Sequence, residues 1–269
     1  MSEPTSFETI QTTAADGVFT VTLNRPAALN ALTVTMGMEL TEALSWAQLA
    51  DEVRCVVLTG NGRAFCAGQD LKDLARPAGT PDADPDVATI LRQYYNPVIV
   101  RLRTMDKPVL AAINGVAAGA GVSLALAADM RIAASSASLV VAFVHVGLVP
   151  DMGATTALIH QVGYARAAEM CFLGESVSAE KALQWGLLNQ VVADEELPEV
   201  TRQMARRLVA SPPRAISLIK RALNHAQLVG LKEQLEFEAD LQEIALSTAD
   251  HQEGLRAFLE KRPPRFSGK

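Results

Sequence analysis

Two glycine-bearing segments decide the fold: Ala64-Phe65-Cys66-Ala67-Gly68-Gln69-Asp70 and Asn114-Gly115-Val116-Ala117-Ala118-Gly119-Ala120-Gly121. Each ends an apolar run, which is typical of a buried strand that leads into a loop. Glycine permits tight turns and a close approach of the backbone to a ligand. Two such loops can each point an N–H at one carbonyl oxygen. The pair therefore predicts an oxyanion hole, and with it chemistry through an enolate or a tetrahedral oxyanion.

The bulk composition indicates an α/β protein that binds a small molecule. The chain of 269 residues is 49% apolar and has a net charge of -6, which argues against a nucleic-acid or acidic-membrane partner. Its three cysteines, Cys55, Cys66 and Cys171, lack the spacing of a zinc site or a disulfide framework. We therefore expect no bound metal and a reducing, cytoplasmic location.

Two segments could have indicated export or membrane insertion. Met1 to Phe7 is polar and lacks the charged and apolar regions of a signal peptide. Pro108 to Ala128 carries no charge and is long enough to span a membrane, but Asn114, Ser123 and three glycines interrupt it. A buried strand, a loop and a core helix explain this segment better.

The pattern along the chain predicts an α/β core followed by a helical tail. Asp16-Gly17 is a turn pair suited to a hairpin. Arg76 to Asp86 is rich in proline and small residues and predicts a mobile loop, while the composition beyond Glu195 is almost wholly helical. The predicted strands are Phe7 to Thr13, Val18 to Asn24, Cys55 to Thr59, Val109 to Ile113, Arg131 to Ala134 and Leu139 to Val141, and the predicted helices are Met36 to Ala50, Ile90 to Arg103, Gly119 to Ala128 and several from Ala154 to Trp185.

Five ordered motifs carry a family resemblance, which extends from about Val18 to Phe266. They are Leu23-Asn24-Arg25-Pro26 with Leu29-Asn30-Ala31-Leu32, Ala64 to Asp70, Lys107-Pro108-Val109 with Ile113-Asn114-Gly115 and the loop after it, Asp129-Met130-Arg131-Ile132-Ala133, and Gly186-Leu187-Leu188-Asn189 with Phe258-Leu259-Glu260-Lys261-Arg262. The chain resembles the enoyl-CoA hydratase/isomerase superfamily. That resemblance implies an α/β crotonase (ClpP-like) ββα-superhelix core over residues 1–195 and a C-terminal helical trimerisation region over residues 196–269. It also implies a homotrimer or hexamer.

The same resemblance implies a role for individual residues. The backbone N–H groups of Gln69 and Ala120 would hold the thioester carbonyl of an acyl-CoA, with coenzyme A present only as part of the substrate and no separate cofactor. Ala120 stands where the family usually has glycine, a change that keeps the backbone donor. The residues implied in substrate binding are Arg25 and Ala27 near the CoA phosphates, Ala67 at the adenine, and Phe258 and Lys261 toward the CoA of a neighbouring subunit, and we add Gly68, Asp70, Gly119 and Phe143. Asp70 is interpreted as a residue that caps or orients the first loop.

The acidic residues separate the activities within the family. Hydratases of the family carry glutamates at the positions of Ser123 and Phe143, so this chain lacks their acid/base pair. Asp151 follows Gly147-Leu148-Val149-Pro150 and resembles the base of 3-enoyl-CoA to 2-enoyl-CoA isomerases and of ring-opening isomerases of phenylacetate breakdown. One carboxylate suffices for a 1,3-proton shift. Burial near Phe143 and Val149 would raise the pKa of Asp151 and suit it to that work.

The sequence also permits other interpretations of Asp151 and of its neighbours. Asp151 could be a helix N-cap, or a nucleophile as in 4-chlorobenzoyl-CoA dehalogenases, although Asn96 and Phe143 stand where those enzymes have histidine and tryptophan. His145 is interpreted as a hydrogen-bonded structural group and Cys66 as a packing residue.

The leading prediction is an enoyl-CoA isomerase. The alternatives are an enoyl-CoA hydratase, which is a lyase of fatty-acid β-oxidation, and a catalytically silent acyl-CoA-binding protein.

Overall fold

The computed structural model describes residues 6–70 and 87–269. The predicted mobile loop from Arg76 to Asp86 lies outside these residues. In the described part of the chain, no helix is long and apolar enough to cross a membrane.

The chain begins with the predicted hairpin. Strands β1 (Ile10–Ala15) and β2 (Val18–Leu23) pair antiparallel, with Ala15 opposite Val18. Asp16 and Gly17 have φ values of 51° and 78°, which the tight turn of a two-residue hairpin requires. Alternate residues of β2 are buried, as a strand with one face on the core demands. The hairpin is confirmed, but its first strand begins at Ile10 and not at Phe7.

A six-stranded sheet forms the centre of the described core. Its order is β1-β2-β3-β5-β7-β10, and all its pairs except β1–β2 are parallel. The remaining strands of this sheet are β3 (Cys55–Gly60), β5 (Val109–Ile113), β7 (Met130–Ala134) and β10 (Gln190–Val192). Strands β3 and β5 are buried on both faces along most of their length, in accordance with their unbroken apolar sequences. Both lead directly into the two glycine-bearing segments.

A second sheet of four strands takes two of its strands from those segments. It has the order β4-β6-β8-β9, with strands β4 (Ala64–Cys66), β6 (Val116–Ala118), β8 (Ser138–Val140) and β9 (Ser176–Ser178). Strands β4 and β6 pair in parallel, so Ala64 lies opposite Val116. The sequence predicted loops at both places, because three-residue strands are too short to show a periodic pattern. Their pairing brings the two glycine segments side by side.

The helices pack around these sheets. They are α1 (Val34–Leu49), α2 (Val87–Ile90), α3 (Asn96–Thr104), α4 (Ala120–Leu126), α5 (Ala154–Leu173), α6 (Ala179–Gln184), α7 (Leu197–Ala210), α8 (Pro213–Ala226), α9 (Leu231–Leu246) and α10 (Ala249–Glu260). The predicted helix from Ile90 to Arg103 contains a π-helical turn at Leu91–Tyr95, which joins α2 to α3. Such turns occur often at functional sites.

The helical tail is joined to the sheet by a buried ion pair. Lys220 of α8 donates to Asp129 Oδ2 at 2.7 Å, and the same carboxylate oxygen accepts from the backbone N–H of Val109 in β5 at 2.7 Å. A buried charge is stable when it is paired and hydrogen-bonded. The helical composition predicted beyond Glu195 is confirmed, while the boundary between residues 195 and 196 and the role of the tail in trimerisation stay predictions.

Candidate active site

The two glycine loops meet at one point. A Cβ placed on Gly68 would lie 2.8 Å from the carbonyl oxygen of Ala118 and 3.5 Å from the backbone nitrogen of Ala120. Gly68 and Gly119 have φ values of 94° and 50°, which favour glycine. A side chain at position 68 would push the loops apart, so glycine is required there for their close approach.

The backbone directions place two N–H groups in this contact. Leu32 donates to the carbonyl of Gly68 at 2.7 Å and accepts from the N–H of Asp70 at 2.9 Å. Because successive peptide groups of an extended segment alternate in direction, the N–H of Gln69 points away from Leu32. Ala120 is the first residue of α4, where an N–H has no partner within the helix. Within residues 6–70 and 87–269, neither N–H has a backbone acceptor. Two N–H groups without a backbone acceptor are what the predicted oxyanion hole requires, and their binding of a thioester oxygen stays a prediction.

A cavity opens directly beside these two N–H groups. Gln69, Gly119 and Ala120 line it together with Asp151. Its other walls are mostly apolar and include Ile90, Leu91, Tyr95, Phe143, Leu148 and Met152. Among the described residues of this lining, Asp151 carries the one charged side chain. The cavity thus combines an apolar wall, a pair of backbone donors and a single carboxylate.

Asp151 is held in a half-buried position with part of its carboxylate away from water. Its Oδ1 atom is buried and finds no hydrogen-bond partner among the described residues. Burial raises the pKa of Asp151 to about 6, because removal from water disfavours the charged form. The expected rise in pKa is confirmed. Phe143 lines the same cavity, as expected, but Val149 is 78% exposed and does not contribute to the burial.

The N-cap interpretation of Asp151 is wrong. Helix α5 begins at Ala154, and its N-cap residue is Gly153, which has no side chain to accept a hydrogen bond. Only the backbone carbonyl of Asp151 takes part in this turn, as the acceptor of a 3.0 Å bond from the N–H of Ala154. The carboxylate is left free to face the cavity.

Arg25 and Asp70 lie beside the first loop and contact each other. Arg25 Nη2 lies 2.9 Å from Asp70 Oδ2, and Arg25 Nη1 donates to the carbonyl of Ala31 at 2.6 Å. Ala27 is exposed on the adjoining 3-10 turn, Pro26–Ala28, and Ala67 lines the cavity. The structure thus brings these four predicted binding residues to the first loop. Their contacts with coenzyme A stay predictions.

Two predicted binding residues lie elsewhere in the chain. Phe258 is 81% exposed near the end of α10, and Lys261 follows that helix with a φ of 55°. Neither lines the cavity that holds Asp151. Their expected reach toward a neighbouring subunit stays a prediction.

The surroundings of His145 and Cys66 favour a structural role for both residues. His145 Nε2 lies 2.9 Å from the carbonyl oxygen of Gly174, in accordance with its interpretation as a hydrogen-bonded structural residue. Cys66 is fully buried in β4, and burial raises the pKa of its thiol to about 12. A thiol with such a pKa is not a nucleophile near neutral pH.

The sequence analysis missed part of the cavity wall. Leu91 and Tyr95 line it from the π-helical turn, and no sequence pattern marks such a turn. Met152 was also not predicted to line the cavity, although its position directly after Asp151 is a signal that could have indicated it.

The chain matches the sequence profile of the enoyl-CoA hydratase/isomerase family over residues 13–269. The chain belongs to this family. It is 47% identical over 253 residues to the 1,2-epoxyphenylacetyl-CoA isomerase of Escherichia coli K12, covering 94% of this chain and 96% of that protein. It is 44% identical to a probable enoyl-CoA hydratase of Rhodobacter capsulatus, covering 98% of this chain and all of that protein.

The fold agrees with solved structures of the family. A crystal structure described as enoyl-CoA hydratase subunit I from Geobacillus kaustophilus superimposes with a TM-score of 0.91 at 38% identity, and each chain is covered completely. The expected crotonase fold is therefore confirmed. The chain is an acyl-CoA enzyme of the crotonase superfamily, whose relatives include both isomerases and hydratases.

Proposed function

We propose that this member of the enoyl-CoA hydratase/isomerase family is an isomerase that moves a double bond of an acyl-CoA from the 3,4 to the 2,3 position, or a related isomerase of ring-containing acyl-CoA esters. One observation carries the proposal: Asp151 is the one charged side chain in the described wall of the cavity beside the oxyanion donors. A single base next to a carbonyl-binding site suits proton transfer at the carbon next to that carbonyl.

The proton shift uses one carboxylate twice. With the thioester oxygen held by the N–H groups of Gln69 and Ala120, the carboxylate of Asp151 takes a proton from C2. The electron pair delocalises over C2 to C4 and onto the oxygen, where the two donors stabilise the negative charge of the dienolate. Asp151 then returns the proton to C4. A pKa near 6 leaves most of the carboxylate deprotonated at neutral pH and still able to hold the proton briefly.

Hydration is the second candidate, because several relatives are named hydratases. A hydratase of this family uses two carboxylates, one to activate water and one to protonate C2. Ser123 and Phe143 occupy those two positions here, and Phe143 presents an aromatic ring to the cavity. The apolar wall beside Asp151 offers no second carboxylate among the described residues, so the site favours the proton shift.

The apolar wall also favours an acyl group that contains a ring. The rings of Tyr95 and Phe143 both line the cavity, and aromatic side chains pack well against aromatic ligands. The relative at 47% identity is named as an isomerase of 1,2-epoxyphenylacetyl-CoA. We include in the proposal the homotrimeric or hexameric assembly, the cytoplasmic location and the absence of any separate cofactor.

The test is product analysis in heavy-oxygen water. The purified protein is incubated with 3-hexenoyl-CoA, 2-hexenoyl-CoA and 1,2-epoxyphenylacetyl-CoA, and the products are separated and weighed by mass spectrometry. The proposal expects 3-hexenoyl-CoA to become 2-hexenoyl-CoA, or the epoxide to rearrange, without gain of heavy oxygen. A heavy-oxygen adduct of 2-hexenoyl-CoA would establish hydration instead.

Two variants assign the reaction to the carboxylate. Asp151→Asn keeps the size of the side chain and removes the base, so turnover should be lost while CoA-ester binding persists. Asp240→Asn makes the same change on the exposed surface of α9 and should leave turnover intact. Full activity of D151N would contradict the proposed mechanism, and tight binding without turnover in every form would support the silent binding protein.

A further inference from the structure

A second cavity lies behind the one that holds Asp151, and Met152 lines both. The second cavity encloses about 260 Å³ and the first about 170 Å³. The second wall includes the apolar residues Ile99, Leu126 and Ala157 and also the polar or charged residues Arg103, His160 and Gln161. The side chain of Met152 thus belongs to the partition between two spaces of comparable size.

The partition is buried and adaptable. Met152 is 5% exposed, so its side chain is enclosed by protein on nearly all sides. It has a φ of 49° and lies between Asp151 and Gly153, in the turn that precedes α5. Methionine is unbranched and has three rotatable bonds, which lets it fill irregular gaps. Removal of the side chain beyond Cβ would enlarge both cavities, because Met152 lines each of them.

We propose that Met152 is a specificity-determining residue that ends the acyl pocket and sets the longest acyl group the enzyme accepts. The inference rests on the proposed function in one respect, that the acyl group occupies the cavity beside Asp151. Short or single-ring acyl groups end at the Met152 side chain. Longer straight chains fit once that side chain is gone, because the second cavity then continues the first.

The decisive variant is Met152→Ala. Alanine has a Cβ, as methionine has, so the cost of the left-handed backbone at this position is retained and the change is confined to the space. Met105→Ala is the matched control, because Met105 is 1% exposed in the core and lines neither cavity. Ala157→Leu fills the second cavity from its other side without touching the first.

The first measurement compares kcat/KM for 3-hexenoyl-CoA and 3-dodecenoyl-CoA. A single methylene in an apolar pocket changes kcat/KM by roughly 10-fold or more, so the ratio of dodecenoyl to hexenoyl should rise at least about 10-fold in M152A. The ratio should stay unchanged in M105A and fall back in the double variant M152A/A157L. A folded M152A with the wild-type ratio would overturn the proposal.

The variant A157L alone provides a test that does not depend on the folding of M152A. In the otherwise native chain the second cavity is closed off, so A157L should leave the chain-length ratio unchanged. A loss of activity confined to the longer substrates would show that long chains already enter the second cavity, which would overturn the role of Met152.

Binding of saturated acyl-CoA esters separates this proposal from the proposed activity. Hexanoyl-CoA and dodecanoyl-CoA cannot be isomerised, and their Kd values are measured by isothermal titration calorimetry. A gain of dodecanoyl-CoA affinity of about 10-fold or more in M152A supports the partition even if the protein isomerises neither test substrate. Equal Kd values for dodecanoyl-CoA in M152A and the native chain overturn it even if isomerisation is established.

Discussion

Ser123 Oγ donates a hydrogen bond of 3.0 Å to the backbone carbonyl of Asp151. Ser123 is 2% exposed and lies in α4, about one turn after the proposed oxyanion donor Ala120. The helix that begins with one of the two proposed donors for the thioester oxygen therefore also holds the backbone of the proposed base. By the resemblance, the serine stands where hydratases of the family carry a glutamate, and its side chain here makes a backbone hydrogen bond.

We expect Ser123→Ala to lower kcat with little change in KM. Loss of one neutral hydrogen bond costs about 1 kcal/mol, which corresponds to roughly a 5-fold fall in kcat if the bond positions Asp151 for proton transfer. Ser217→Ala is the matched control, because Ser217 is equally buried and donates one hydrogen bond to Asp106 away from the cavity. Both variants should lose stability in urea titrations. A wild-type kcat in S123A would show that the bond has no part in positioning.

The activity should depend on the protonation of Asp151. The carboxylate has a pKa of about 6 in the free enzyme and works as a base only when deprotonated. The value of kcat/KM should therefore fall about tenfold for each pH unit below about 6 and level off above it. A 3-hexenoyl pantetheine thioester is the preferred substrate, since it lacks the phosphates of coenzyme A that titrate in the same range. A flat profile between pH 5 and 8 would contradict a base with this pKa.

Much of the fold could be predicted from the sequence where a local rule applies. The hairpin at Asp16-Gly17 was found because its turn chemistry is local, and β3 and β5 because their apolar runs are unbroken. The two glycine segments predicted an oxyanion hole, and the structure brings their N–H groups to one cavity with Asp151. The hairpin, the two strands and each glycine segment by itself were predictable because their signals depend on residues that are neighbours in sequence.

The features that could not be predicted depend on contacts between distant segments. The short strand β6 is defined by its pairing with β4 on one side and with β8 on the other, and β4 by its pairing with β6. The bond from Ser123 to Asp151 joins residues from α4 and from the turn before α5, which no pattern in either segment indicates. Likewise, Met152 lines two cavities, and residues of α3, α4 and α5 line the second of them with it. Tertiary packing, and not local propensity, sets these parts of the site.

The buried carboxylate should also reduce stability. The pKa of Asp151 is raised from 3.8 to about 6 in the folded protein, so the folded state binds this proton more tightly than the unfolded chain does. The free energy of unfolding therefore decreases as pH rises from about 4 to about 6, and the loss persists above that range. D151N carries no such charge, so its Tm should exceed that of the native protein at pH 7.5.

The pH dependence distinguishes this effect from a general effect of the substitution. The difference in Tm between D151N and the native protein should shrink as pH falls toward 4, where the native carboxylate is already protonated in the folded state. The surface variant D240N should match the native protein at both pH values. An equal Tm difference at pH 4 and pH 7.5 would mean that the charge of Asp151 is not its cause.

The contact between the two glycine loops should be essential for catalysis. In Gly68→Ala the new Cβ would meet the carbonyl oxygen of Ala118 at 2.8 Å, so the loops must separate and the N–H of Gln69 moves away from that of Ala120. Loss of one oxyanion donor typically lowers kcat by about 100-fold or more, and we expect a fall of that order.

Gly186→Ala is the control, because Gly186 has a similar φ of 85° while its Cβ would have a 3.9 Å contact with Gln161. Both variants place an alanine in the left-handed region, so both should lose Tm to a comparable extent. If kcat falls in G68A alone, the separation of the loops is the cause of that fall. Equal kcat values in the two variants would show that the N–H of Gln69 does not hold the thioester oxygen.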